Sequence, residues 1–268
     1  MGTYTLRYTD YSLDATLDCG QCFNFSRNPD GSWTGVALER QLTLAQKDGE
    51  IVYEGVSEGV FLAEYVRYLA LDDDYSGIKS ILAKDEVLRE AIGYAPGIRI
   101  MHQPFWNTLL SFIVSQNNNI PRIKGILSRL CSGWGRDYGS YRGFPEASAL
   151  AGLSEEDLAP LRCGYRAPYI IDCSKRYSQG LVDEDVIRSG PLPDARKELE
   201  KIKGVGPKVA DCVLLFGAGR LDAFPVDTWM RKCMKALYPK GLPEFALPYA
   251  GIAQQYLFHY CRTSGIFS

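Results

Sequence analysis

The sequence predicts an α+β protein, in which a small N-terminal antiparallel β-sheet packs on a larger, all-helical body containing a helix–hairpin–helix motif. Three observations carry this reading. Over the first ~75 residues apolar and polar side chains alternate, as Tyr4, Leu6 and Tyr8 do between Thr3, Thr5 and Arg7. From about Ser76 the period becomes helical and stays so, with Gly and Pro as punctuation. No linker, low-complexity stretch or internal repeat interrupts the chain. Strands followed by helices give an α+β architecture. A chain of 268 residues fits one large domain or two small ones, and buries a core without disulfide or metal staples. We expect an N-terminal domain over residues 1–100 and a helical domain over 101–268.

The elements follow in order. Phe23-Asn24-Phe25 runs into the turn cluster Asn28-Pro29-Asp30-Gly31, and residues 33–38 return as the next strand. Residues 41–46 and 50–54 flank Asp48-Gly49, a two-residue hairpin signal. Ile78, Ile81, Leu82, Leu88 and Ile92 keep helical spacing, closed by Gly93 and Pro96. Residues 106–114 predict a buried helix carrying Leu109, Leu110, Phe112 and Ile113, and Ile123, Ile126 and Leu130 continue the pattern.

Composition narrows the function. Thirty Lys and Arg against 32 Asp and Glu leave a net charge of −2, so any nucleic-acid partner must be held by a local basic surface. No apolar run approaches the ~18 residues of a membrane span, and the best, residues 209–218, contains Asp211. No basic region followed by an apolar stretch opens the chain, so no signal peptide is expected. Cys19-Gly-Gln-Cys22 has the spacing of half a zinc site or a redox pair. A second pair is missing from the sequence, and the two histidines, His102 and His259, stand apart. These thiols are expected to be reduced, as structural or pocket-lining groups, with no metal and no cofactor.

Residues 194–231 carry the chemistry, with the hairpin over 194–216. Asp194 is expected to cap a helix running to Ile202, with Leu199 and Ile202 inward. Gly204-Val205-Gly206 predicts a tight hairpin with left-handed dihedrals at both glycines, and Pro207 suits the first position of a second helix. Bare N–H groups at that helix start form an anion site, with Arg196, Lys197, Lys201, Lys203 and Lys208 nearby against Glu198 and Glu200. Such a site holds phosphates without reading sequence. Lys208 lies in the first helical turn, where the macrodipole disfavours a cation; that setting suits a nucleophilic amine. Further on, Pro225-Val226-Asp227 places Asp227 as an N-cap. From position alone a solvated surface lysine and a carboxylate that only caps are the alternatives.

With these residues in view, the sequence resembles the helix–hairpin–helix DNA glycosylases, and specifically the 8-oxoguanine DNA glycosylase branch. The resemblance rests on the run from Leu199 through Gly204-Val205-Gly206-Pro207-Lys208 to Cys212, and on Pro225-Val226-Asp227. It is supported by Gly20-Gln21-Cys22-Phe23, Ser115-Gln116-Asn117-Asn118-Asn119-Ile120-Pro121-Arg122-Ile123, Gly164-Tyr165-Arg166-Ala167 and Pro248-Tyr249-Ala250-Gly251-Ile252-Ala253-Gln254. It implies a bifunctional glycosylase/AP lyase that removes 8-oxoguanine opposite cytosine from duplex DNA and nicks the strand by β-elimination. Lys208 then matches the Schiff-base nucleophile, and Asp227 the carboxylate that stabilises the sugar cation. Gly20 matches the carbonyl that accepts N7–H. Phe258 matches the stacking ring, with Cys212 on the opposite face, Gln254 on the Watson–Crick edge and Phe216 on the same wall. Asn117, Arg122 and Arg166 match residues that hold the orphaned cytosine, and Tyr165 the wedge beside it. Gly204 and Gly206 belong to the phosphate-binding hairpin. Where many family members carry a His two residues after the Asp, this chain has Trp229, whose indole N–H supplies at most one uncharged bond to a phosphate. A glycosylase for another damaged purine, and a non-catalytic DNA-binding module, are the rival readings. The resemblance further implies a monomer, located in the cytoplasm with the nucleoid if prokaryotic and in the nucleus if eukaryotic.

Overall fold

The computed structural model describes residues 2–266. Five strands form one antiparallel sheet in the order β1-β5-β4-β3-β2: β1 Tyr4–Arg7, β2 Phe25–Arg27, β3 Trp33–Ala37, β4 Arg40–Lys47 and β5 Glu50–Glu54. Alternation puts Trp33, Leu42, Leu44, Ile51 and Tyr53 on the buried face, with Trp33 opposite Leu44 and Leu44 opposite Tyr53. The Asp48-Gly49 turn joins β4 to β5 with both residues at positive φ, 52° and 78°, the dihedrals a type I′ hairpin demands.

Helix begins earlier than the sequence period suggests. Residues 58–68 are helical, with Ser57 as N-cap and a π segment, Phe61–Tyr65, in the middle. The segment lies across the sheet. Phe61 stacks on Tyr53 at 3.6 Å between centroids, and Tyr65 donates its hydroxyl to the Ala37 carbonyl at 2.7 Å. Aromatic burial of this kind outweighs the β-branched and aromatic composition that reads as strand. A short helix, Leu13–Leu17, capped by Ser12, also lies inside the stretch read as strands. The single helix expected over residues 78–92 is two, Tyr75–Leu82 and Glu86–Tyr94, because Asp85 caps the second.

A second core, made of Phe23 and of residues from Tyr75 onward, belongs to the helical body. Its centre is Phe105–Ser115, buried on nearly every side, packed against Pro207–Gly217. The last helix, Ala250–Thr263, lies against the same body. A Cβ on Gly251 would come within 2.1 Å of Leu215, so glycine there permits the approach. Phe23 is in this helical core while Cys22 is in the sheet core, so the loop around Gly20 sits at the seam of the two.

Candidate active site

The hairpin forms as expected in outline and differs in two particulars. Its first helix is Leu192–Glu200, starting after Pro191, so Asp194 lies in the first turn and is not the cap. Pro193 fits that turn, and the acid still faces the positive end of the dipole. Gly204 is left-handed at φ +85°, and a Cβ there would sit 2.4 Å from the Tyr169 ring. Gly206 is not left-handed: it is extended, at φ −106° and ψ −179°, as N-cap of Pro207–Gly217. A Cβ on Gly206 would meet nothing within 4 Å. Open space therefore lies before the bare N–H groups of this helix start, the geometry of an anion site. Of the five nearby cations, Arg196 is paired with Asp211 at 2.7 Å, Lys197 with Asp194 at 3.8 Å, and Lys201 with Glu198. Lys203 and Lys208 form no ion pair among the described residues, so they, not all five, carry the local positive charge.

Lys208, Cys212 and Phe216 recur at four-residue spacing on Pro207–Gly217 and so share one face. Phe112 packs on that face, stacked on Phe216 at 5.5 Å between centroids, and the Lys208 Nζ lies 5.3 Å from its ring centre. Burial pushes the Cys212 thiol up, and the neighbouring Lys208 amine pulls it the other way. Across from them Asp227 caps Thr228–Leu237, its Oδ1 accepting the Met230 N–H at 2.7 Å. The cap fixes the carboxylate in place. From the seam comes Gly20, left-handed at φ +81°. Gln21 pins that loop: its amide donates to the Thr16 and Arg99 carbonyls at 2.9 and 2.7 Å and accepts from the Met101 N–H at 2.9 Å.

Gly20, Lys208, Cys212, Phe216, Asp227, Gln254 and Phe258 all line one cavity of about 60 Å³. That is smaller than the roughly 300 Å³ or more of pockets that enclose a ligand. Gln254 and Phe258 are four residues apart on Ala250–Thr263 and share a face. Gln254 is 6% exposed, yet its Oε1 accepts no hydrogen bond. Leaving such a group unpaired costs about 1–3 kcal/mol. A ligand edge carrying N–H donors removes that cost.

A second cluster lies apart from the cavity. The three consecutive asparagines divide their work. Asn119 caps Ile120–Trp134 through the Arg122 N–H, and Asn118 bonds the Val114 carbonyl at 3.1 Å. Asn117 is left exposed, at φ +44°. Arg166 is 1% exposed and holds the loop, its guanidinium donating to the carbonyls of Gln116, Asn117 and Cys163. Tyr165 is 51% exposed, with its hydroxyl on the Gln116 carbonyl and the Arg166 guanidinium over its ring. Arg122 is exposed, and its guanidinium makes one long bond to the Arg162 carbonyl, 3.3 Å. The structure thus joins residues 116–122 to residues 162–166, and joins them to the hairpin through Tyr165, which meets Tyr169 edge-on beside Gly204.

The cavity also takes in Cys19, Phe112, Pro225 and Gln255, which the sequence reading did not place there. Cys19 carried a signal in its Cys-x-x-Cys; its thiol, raised to about 11 by burial, donates to the Thr16 carbonyl. Phe112 had no signal beyond its place in the expected buried helix, and Gln255 none beyond lying next to Gln254. Trp229 is 42% exposed beside Lys232, whose ammonium lies 5.5 Å from the indole.

Two family models match the chain: the N-terminal domain of 8-oxoguanine DNA glycosylase over residues 3–109, and the HhH-GPD superfamily of base excision DNA repair proteins over residues 110–241. The N-glycosylase/DNA lyase of Saccharomyces cerevisiae is 36% identical over 158 residues, 53% of this chain and 42% of that protein. The chain thus spans less than half of the yeast protein. A protein of Methanothermobacter thermautotrophicus described as a probable N-glycosylase/DNA lyase is 30% identical over 218 residues, covering 68% of this chain and 69% of its own length. The 8-oxoguanine glycosylase/lyase of Clostridium acetobutylicum, solved with duplex DNA containing cytosine opposite 8-oxoguanine, superposes with a TM-score of 0.87 at 34% identity, over 96% of this chain and 94% of that one. By these matches the chain belongs to the 8-oxoguanine DNA glycosylase branch of the HhH-GPD base excision repair superfamily.

Proposed function

We propose that the protein is a bifunctional DNA glycosylase/lyase that removes 8-oxoguanine paired with cytosine from duplex DNA and cuts the strand at the resulting site. The observation that carries the reading is the convergence of Lys208, Asp227, Gln254, Phe258, Cys212 and Gly20 on one cavity at the start of the helix that follows the hairpin at residues 204–206. A base in a duplex is out of reach, so it is flipped out, at a cost of a few kcal/mol. Stacking on Phe258 returns about 1–3 kcal/mol. The Gly20 carbonyl accepts the N7–H that only the oxidised base carries and repels the lone pair of ordinary N7, so one donor–acceptor reversal separates lesion from guanine.

Lys208 Nζ then bonds to C1′ as the C1′–N9 bond breaks, and the base departs with a proton. The Asp227 carboxylate, fixed by its cap, stabilises the positive charge on the sugar. Opening of the C1′–O4′ bond leaves an iminium, which acidifies C2′–H; loss of that proton expels the 3′ phosphate. Asn117, Arg122 and Tyr165 hold the cytosine left behind and the gap beside it, on a loop that the buried Arg166 guanidinium fixes from beneath. The test is excision on a panel of single-lesion duplexes, each with four opposite bases. Fastest release of 8-oxoguanine opposite cytosine is expected. Faster release of an alkylated or ring-opened purine, or of 8-oxoguanine opposite adenine, overturns the substrate assignment.

A further inference from the structure

Gln255 is an amide that the roles above leave unused. It is 3% exposed, it lines the cavity beside Gln254, and its Oε1 is closed off from solvent without a donor. Four buried polar atoms among the described residues lack a partner: Tyr11 OH, Arg99 Nε, Gln254 Oε1 and Gln255 Oε1. The two glutamines alone of these residues line the cavity. An unpartnered buried amide weakens a fold, and an apolar side chain of the same volume avoids that loss. Two such amides, adjacent in sequence and facing one cavity, are arranged for a ligand absent from the free protein.

The ligand chemistry follows from counting groups. A guanine-type base presents O6, N1–H and a 2-amino group in a row. One side-chain amide offers one oxygen and one NH2, and matches two of these. A second amide is needed for the third. Gln254 and Gln255 lie four and three residues before Phe258, so both flank the ring on which the base stacks. We propose that Gln255 is a second base-reading residue, which together with Gln254 saturates the O6, N1–H and 2-amino edge of the flipped purine. This rests on the base-excision reading above.

The test separates steps that need a base from steps that do not. Gln255→Met keeps the volume and removes the amide. Single-turnover release of 8-oxoguanine opposite cytosine is compared with nicking of a preformed abasic site opposite cytosine, which has no base to read. The loss on the lesion is expected to exceed the loss on the abasic site at least ten-fold, with Tm unchanged or raised. Gln255→Leu is expected to show the same split. Equal losses on both substrates, or no loss on the lesion, overturn the proposal. A wild-type protein that nicks the abasic site but leaves 8-oxoguanine in place refutes the substrate reading instead. The split is then read on whichever panel lesion is released fastest, with the same two outcomes.

Discussion

Replacing Gln21 with leucine tests how the cavity is held. The side chain is 1% exposed and bridges the Gly20 loop to residues 99–101. Leucine nearly preserves the volume but removes the amide. The Thr16 carbonyl keeps a partner in the Cys19 thiol, while the Arg99 carbonyl and the Met101 N–H lose theirs. Two buried backbone groups left unpaired, at about 1–3 kcal/mol each, put the loss at about 2–6 kcal/mol. For a chain of 268 residues that lowers Tm by at least about 4 °C, since each kcal/mol moves it by about 2–4 °C. Gly20 is the next residue, so its carbonyl also loses its fixed position. Calorimetry gives the first number. Single-turnover release of 8-oxoguanine, set against nicking of a preformed abasic site, gives the second. Base release is expected to suffer more. A Tm within about 1 °C of wild type, or equal losses in both assays, refutes the reasoning.

The hairpin glycines have opposite expected effects. Gly206→Ala leaves stability within about 0.5 kcal/mol but weakens duplex binding, because the methyl group occupies the space before the helix start. Gly204→Ala lowers Tm, through about 1–2 kcal/mol of left-handed strain plus overlap with Tyr169; a reversed pattern in melting and binding contradicts the assignments. Arg166→Ala lowers Tm and relaxes the preference for cytosine, whereas Arg122→Ala relaxes the preference alone; unchanged cytosine-to-adenine rate ratios in both count against the opposite-base cluster. Hydrogen bonds from Arg220 hold Asp222 below its ordinary 3.8, against the opposing effect of burial. A depressed carboxylate contributes stability that is present above the unfolded value and lost as pH falls through the folded one. The urea-midpoint gap between wild type and Asp222→Asn is therefore full near neutrality and shrinks below 3.8; a gap that stays constant contradicts this.

Sequence reading went furthest where local chemistry decides the backbone. Asp48-Gly49 names its own hairpin, and Gly204 and Pro207 name theirs, because few residues accept those dihedrals. Asp227 is legible as a cap for the same reason. Reading failed where tertiary contact decides. Phe61 and Tyr65 belong to a helix because aromatic rings stack on the sheet, and a period-two expectation does not contain that sheet's face. Gly206 looks like Gly204 in sequence, but it is extended and not left-handed, which is visible only with the helix start in place. The basic hairpin is weaker than its residue count because Asp211, distant in sequence, takes Arg196. The cavity was half legible: Gly20, Lys208, Cys212, Phe216, Asp227, Gln254 and Phe258, grouped by the resemblance, line one cavity, while the places of Phe112 and Gln255 in it depend on how three helices meet.

The central claim is that one amine, Lys208, forms a covalent bond to the sugar. Borohydride reduction during reaction with an 8-oxoguanine:cytosine duplex tests it directly. Wild type is expected to give a protein–DNA adduct of one-to-one mass, with the modification mapped to Lys208, and Lys208→Gln is expected to give none. An adduct that persists in Lys208→Gln, or that maps to another residue, contradicts the account.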